Sequence, residues 1–451
     1  MTSSHKTSFR KAFALLSALL LGSTGLTAAA VAGEHEGQQL YPLFSYRTGP
    51  YASSGIPVWA GIRDYITYVN KTQGGVDGVK VFVQECETAY TIERAFECYE
   101  RYKNGYDGAT VAFIVGTSSG FDAAVSEKLR ADKIALTTPG GGREDAVDGS
   151  VFPYQFPLLF DYWTEASIVI EYIAKQLGGY DKLKGQKIAT LYHDSGYGRD
   201  TIEPLAILAK KYGFGDIEIP VPHPGEQQQA QWQQIKQQGA DWVFFRAWGV
   251  MTPVGIKTAA RVGFPADHII GDIWSGSEED VRPAGAAAKN YLAVSLFPSG
   301  SRFKISQAIK KDVIDAGKGD LKDPSKFGSV YYDAGLVAGI IYVEALRIGH
   351  NKFGNRPLTT HEGQWALEHL DITAQRIEEI GATGLLSPVK VTPNDHEGNP
   401  AAKIVQWDGS EWQAKTDWLN GDRALFHDAI YAKAAAYAKE KDLPPRDPPT
   451  D

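Results

Sequence analysis

From Leu40 onward, short apolar runs alternate with longer stretches whose apolar residues recur at helical spacing. The runs over 40–46, 79–85, 111–115 and 134–136 predict strands, and the stretches 57–71, 91–104 and 120–132 predict helices between them. In the first helix Val58, Trp59, Ile62, Tyr65, Ile66 and Val69 share one face, and Pro57 suits its first turn. A helix after each strand is the pattern of βαβ units on a parallel sheet. The alternation pauses over the aromatic, proline-containing segment 151–160. It resumes with helices over 163–177, 199–212, 227–238 and 253–262 and strands over 187–192, 217–221, 242–245 and 268–271. A strand over 291–297 then precedes helices over 302–316, 331–350 and 359–370. In the following region, 381–399, Asp395-His396-Glu397-Gly398-Asn399 is turn chemistry between strands. An Ala-rich helix over 423–440 leads into a Pro- and Asp-rich tail that reads as disordered. The predicted class is α/β, in two consecutive blocks.

Residues 1–32 stand apart. Lys6, Arg10 and Lys11 lead into an apolar run over 12–21, then Ala28-Ala29-Ala30-Val31-Ala32 before Gly33. This reads as a cleavable secretory signal, with maturation near Gly33; the run is well short of the roughly twenty residues that span a bilayer. An uncleaved anchor is the alternative. Losing the segment moves the net charge from -8 to about -11. Such an acidic surface argues against nucleic acid or an anionic membrane as partner. The length suits two domains, and 22 Tyr and 10 Trp leave aromatic surface for a binding cleft. Cys86 and Cys98 are the two cysteines. In an oxidising compartment they read as a disulfide, with two buried free thiols as the rival; a metal site fits poorly, since no His is near and the spacing is not CxxC.

Ligands in open parallel sheets bind beyond the carboxyl ends of the strands. Gly116-Thr117-Ser118-Ser119-Gly120 follows the third strand and opens a helix, and Thr137-Thr138-Pro139-Gly140-Gly141-Gly142 follows the fourth. Hydroxyls and free amides at a helix N-terminus suit an anion, so a carboxylate needs no arginine there. Plain N-capping by Ser118 or Ser119 is the rival. In the second block Tyr192-His193-Asp194-Ser195-Gly196-Tyr197-Gly198, Trp248, Asp272 and Trp274 follow strands, and Tyr46, Arg47 and Tyr51 follow the first strand. These aromatic groups are placed to sandwich a flat or apolar body, or to pack within their own block. Phosphate-loop, HExxH and dinucleotide motifs are missing. Ser118 sits in a GxSxG match, but no strand-end His after it stands out except His193, so a hydrolase reading is weak. The histidines, among them His35, His361 and His396, are scattered without a metal-ligand cluster.

The export signal, the two βαβ blocks, GTSSG, TTPGGG and DSGYG together resemble a type I periplasmic solute-binding protein, of the leucine/isoleucine/valine-binding branch that serves ABC importers. The likeness covers about residues 38–420. It implies two Rossmann-like lobes with parallel sheets joined by a hinge crossed three times, near Phe156, Phe297 and Pro388. Lobe one then holds 38–156 and 297–388, lobe two 157–296 and 389–422, with 423–451 a C-terminal helix and tail. The resemblance implies no catalysis and no cofactor. It implies instead a ligand between the lobes and a closed surface read by the importer's membrane subunits. Ser118, Ser119, Gly140 and Gly141 match the groups that hold a ligand carboxylate, and Tyr197 and Trp248 those that close over it. The Cys pair resembles the first-lobe disulfide of that family.

Two departures bear on the ligand. Gly142 stands where amino-acid binders of this branch place Thr, and Gly271-Asp272-Ile273-Trp274 where they place Glu after Gly-Pro. A buried ammonium needs an anionic partner, so unless Asp272 serves, an α-amino acid is poorly matched. Trp274, with Tyr46, Tyr51 and Trp248, favours a carboxylate on an aromatic or extended apolar body. The runs 46–51 and 85–88 also resemble the subgroup associated with aromatic acids, with Arg47 a candidate second carboxylate partner or a surface ion pair. The alternatives are a branched-chain amino acid or amide/urea binder of the same fold, or a ligand-sensing receptor domain.

Overall fold

The computed structural model describes residues 33–116, 118–398, 400–444 and 446. The expected export signal lies outside the described residues, as do Thr117, Asn399 and the last residues of the tail. β1 (Gln39–Ser45) runs parallel between β2 (Val81–Glu87) and β3 (Thr110–Val111). Ala112 alone separates β3 from β4 (Phe113–Val115), which pairs in parallel with β5 (Ala135–Thr137), and β5 with β6 (Gln155–Phe156). Every residue of β1 is buried, as its apolar run requires of a central parallel strand. Tyr41 and Leu43 join the core under α1 (Ala52–Thr72), while Leu40 and Phe44 join Tyr99 of α2 (Ile92–Tyr102) and Phe121 of α3 (Ser119–Asp132). α1 starts at Ala52, ahead of the expected Pro57, because a proline this near a helix start costs a single hydrogen bond in the first turns. The disulfide forms between Cys86 and Cys98, Cα–Cα 5.8 Å, and fastens α2 to β2.

After α4 (Tyr162–Leu177) comes a second parallel set: β7 (Lys187–His193), β8 (Gly215–Val221), β9 (Trp242–Arg246), β10 (Ile269–Gly271) and β11 (Leu292–Ser295). Its connections carry α5 (Gly196–Arg199), α6 (Ile202–Tyr212), α7 (Gln229–Gln238), α8 (Met251–Val262) and α9 (Glu278–Val281). The chain then returns to the first sheet through α10 (Lys304–Ile309) and α11 (Val330–Phe353), which packs on α1. α12 (Thr360–Glu368), β12 (Asp371–Ile372), α13 (Ala374–Ile380) and β13 (Val389–Lys390) follow, the two strands pairing antiparallel. A last passage places β14 (Lys403–Trp407) and β15 (Trp412–Ala414) antiparallel on the second sheet, whose order is β15-β14-β11-β10-β9-β7-β8, before α14 (Arg423–Glu440). Two α/β lobes joined by three passages are thus as expected. The hairpin β14–β15 is new: Asp408 accepts from the N–H groups of Ser410 (2.8 Å) and Glu411 (2.9 Å), and Gly409 takes φ +111°.

α1 and α11 approach backbone to backbone at Gly61 and Gly335. A Cβ on Gly335 would meet the carbonyl oxygen of Val58 at 2.0 Å, and one on Gly61 that of Tyr332 at 2.2 Å. This crossing sets where Trp59 of α1 and Ala334 of α11 stand beside the cleft. Gly335→Ala is expected to destabilise the protein by about 1–3 kcal/mol, since both backbones must part, read as a lower urea midpoint.

Candidate functional site

The carboxyl ends of both sheets face one another across a narrow cavity of about 80 Å³. One side is built by the first sheet. β1 delivers Tyr46, β2 the following Tyr90, β4 Gly116, Ser118 and Ser119, and β5 Thr138, Gly140 and Gly141, with Val58, Trp59 and Ile62 from α1 alongside. The other side is built by Tyr162 and Tyr197, at the starts of α4 and α5, and by Trp248, Trp274 and Phe297, which follow β9, β10 and β11. Among the described residues lining it, none carries a formal charge.

Ser118 is the N-cap of α3, its Oγ accepting from the N–H of Phe121 at 3.2 Å. The capping role therefore holds, and the hydroxyl keeps its own hydrogen to donate. The N–H of Gly140 donates to the carbonyl of Leu158 (2.9 Å), so it is spent, and its carbonyl accepts from Trp274 Nε1 (3.1 Å). The expectation that Gly140's backbone N–H holds a carboxylate is thus corrected; Gly141 stands beside it against the Tyr162 hydroxyl, where a Cβ would fall 2.6 Å away. Beneath the turn, Thr138 donates to Asp122 Oδ2 at 2.7 Å, and a Cβ on Gly116 would lie 2.4 Å from Asp122 Oδ1. Burial pushes the Asp122 carboxyl up to about 7, against the pull of the Thr138 hydroxyl.

Of the residues singled out by sequence, Tyr46, Ser118, Ser119, Gly140, Gly141, Tyr197, Trp248 and Trp274 line the cavity; Arg47, Tyr51 and Asp272 do not. Arg47 pairs with Glu85 and with Asp320 (2.7 Å) instead of pointing at a ligand. Asp272 is fully buried and bonded to Arg246 (2.9 Å), Ser275 (2.8 Å) and the Tyr197 hydroxyl, so it cannot turn in to meet an ammonium. Arg246 also holds Glu165 (2.7 Å) and lies against the rings of both Tyr162 and Tyr197, 4.0 and 4.4 Å from their centroids. Burial pushes Glu165 up to about 8 and raises Asp272 as well, while Arg246 draws both back. Trp59, Tyr90, Tyr162 and Phe297 were not expected in the lining. Trp59 sits on the helix face read as core, and Tyr162 opens a helix just after the aromatic segment, the one hint the sequence offers.

Tyr51 instead joins the lobes behind the cavity. Its hydroxyl lies 3.2 Å from His193 Nε2 and 2.6 Å from His223 Nδ1, the two rings lie 3.1 Å apart at those atoms, and His193 Nδ1 meets Ser195 Oγ at 2.9 Å. The Tyr51 ring stacks on Trp248. One further group, Glu34, His35 and Asp107, gathers donor atoms within 4.8 Å of one another, but at the start of β1, the end away from the cavity.

Comparison with known proteins gives the following. The family described as periplasmic binding protein matches residues 42–413. A solved structure from the Pseudomonas fluorescens group, described as an ABC transporter permease, is 55% identical with a TM-score of 0.86 over 91% of this chain and 99% of its own. A branched-chain amino acid ABC transporter protein of Thermus thermophilus with bound valine is 20% identical, TM-score 0.71, over 88% and 100%. A solute-binding protein of R. palustris in complex with benzoate is 18% identical, TM-score 0.66, over 86% and 98%. No curated protein matches.

Burial first, and the neighbouring His223 second, push His193 down to about 4. The neutral ring is the one the fold accepts, so its contribution is complete above the ordinary value of 6.5 and is lost as pH falls through about 4. The melting-temperature difference between wild type and His193→Asn is expected to shrink across that window in a calorimetric pH series.

Proposed function

The chain belongs to the periplasmic binding protein family, and we propose that it captures a small organic carboxylate, foremost an aromatic acid, and delivers it to the membrane subunits of an ABC importer. Its relatives are solute-binding proteins, not enzymes. The observation that carries the ligand class is the lining: hydroxyl donors on one jaw, eight aromatic rings around the space, and no charged side chain among the described lining residues. A carboxylate finds Ser118, Ser119 and the start of α3, where amides and macrodipole favour an anion. No acid among the described residues lines the space to meet an ammonium: Asp272 is held by Arg246, and Asp122 lies beneath Gly116 and Thr138, where burial favours its neutral form. The valine-bound and benzoate-bound neighbours resemble this chain about equally, so the choice rests on the lining itself. A space of about 80 Å³ suits one ring better than a long chain.

The same reading assigns 38–156 with 297–388 to the donor-bearing lobe and 157–296 with 389–422 to the other. Residues 423–451 form the terminal helix and tail. Residues 1–32 serve as the cleaved export signal. The strand memberships of the two sheets support this division.

A thermal-shift screen of aromatic acids against branched-chain amino acids, amides and urea tests the ligand class, since a ligand stabilises by mass action. Aromatic acids are expected to raise the melting temperature, and Ser118→Ala to weaken their binding by about 1–3 kcal/mol in titration calorimetry. A response to leucine or valine with none to aromatic acids would overturn the carboxylate-on-a-ring reading.

A further inference from the structure

Two indole N–H groups in the cavity wall have no acceptor. Trp59 Nε1 and Trp248 Nε1 are both buried without a hydrogen-bond partner, in residues only 3% and 4% exposed. Both residues line the cavity, Trp59 from α1 and Trp248 from the opposite lobe. Both meet the ring of Tyr46 nearly at right angles, at centroid distances of 5.3 and 6.2 Å. The third tryptophan of the wall behaves differently: Trp274 Nε1 donates to the Gly140 carbonyl and the Tyr162 hydroxyl, both at 3.1 Å. Indole nitrogen is a donor and nothing else, so Trp59 and Trp248, both in the cavity wall, each lack an acceptor that an incoming ligand can supply.

Strand order fixes where that acceptor must lie. Tyr46, whose ring both indoles contact, follows β1, whereas Ser118 follows β4, which continues β3 beside β1 after Ala112, and Gly140 follows β5, the neighbour of β4. The two ends are separated by one to two strand spacings, roughly 5–10 Å, which a substituted benzene ring can bridge. Resting on the carboxylate reading above, we infer that Trp59 and Trp248 form a second polar subsite, selecting carboxylates that carry an acceptor oxygen, as hydroxyl, ether or carbonyl, at the end remote from the carboxylate. A site that must leave buried donors unpaired discriminates against the analogue lacking the partner far more than an apolar wall does.

The test compares 4-hydroxybenzoate with 4-methylbenzoate, nearly equal in size, and the 3-substituted pair, by titration calorimetry on wild type, Trp59→Phe and Trp248→Phe. Phenylalanine keeps a ring and removes the N–H. Wild type is expected to prefer the hydroxyl compound of one pair by about tenfold or more, the effect of pairing one buried donor. At least one variant is expected to lose most of that preference, read as the ratio of the two affinities within the same variant, so that any general loss of ring contact cancels. Should a variant fold poorly, the indole N–H resonances of wild type are expected to move downfield with the hydroxyl ligand and not with the methyl one. Equal affinity of wild type for both members of each pair, or a preference unchanged in both variants, would overturn the subsite while leaving the proposed function standing. Binding of no aromatic acid, with binding of leucine or valine, would overturn both.

Discussion

The cleft takes its character from a charge that lies just outside it. Arg246, at the end of β9, is fully buried, ties Glu165 of α4 to Asp272 beyond β10, and donates to the backbone carbonyl of Tyr197 at 2.6 Å. Taking a guanidinium out of water is tolerable only where carboxylates and carbonyls replace the lost hydration. That requirement draws four elements of the second lobe together at one point. The rings of Tyr162 and Tyr197, packed edge to face on each other with centroids 5.6 Å apart, both lie against the guanidinium and also line the cavity. The same pairing takes up Asp272, an acid that a zwitterion's ammonium could otherwise use. A neutral, ring-lined cavity is therefore the consequence of satisfying a buried cation elsewhere.

The opposite jaw is set by backbone geometry. The glycine-to-glycine crossing of α1 and α11 brings Trp59 to the cavity edge, and the tight seat of Gly116 over Asp122 and Thr138 turns the chain into α3. Each jaw thus holds its half of the site rigidly, and the moving part is the relation between them. The contacts across that seam combine ring packing, with Tyr46, Tyr51 and Tyr331 against Trp248, and hydrogen bonds: the Trp274 N–H on the Gly140 carbonyl, the Tyr331 hydroxyl on Asp280 at 2.8 Å, and Tyr51 against His193 and His223. Hydrogen bonds of this kind exchange readily with water, so opening costs little beyond the exposure of the rings.

Much of this was legible in the sequence, and the limit is physical. Hydrophobic period and strand-end position identified the two blocks, the serine turn, Trp248 and Trp274, because those signals are local. Arg47, Tyr51 and Asp272 also end strands, but their roles depend on Asp320, His223 and Arg246, whose proximity only the folded chain creates. Trp59 was hidden for the converse reason: an apolar helix face looks the same whether it meets a core or a ligand. The Gly140 amide was lost to a loop carbonyl, Leu158, that no periodicity foretells. The β14–β15 hairpin did carry a local mark, the Asp408-Gly409 pair between tryptophans, but its short strands lack the intervening helix that marks the other strands of this sheet.

The carboxylate proposed for the site would be held without a cation, and Asp122 lies beside it. Its carboxyl lies under the serine turn with one oxygen on Thr138 and the other unpartnered, so an ionised Asp122 would repel a second carboxylate through a medium that screens poorly. Burial favours the neutral acid, raising it to about 7, so that below this value the proton removes the repulsion and leaves the Thr138 hydroxyl free to turn. A bound anion would raise it further for the same reason. Under the proposed function, neutral donors and a proton on Asp122 would bind an anion less tightly than a guanidinium would. For a protein whose task is to deliver what it captures, a site that owes its strength to closure rather than to a fixed charge lets opening alone discharge the ligand.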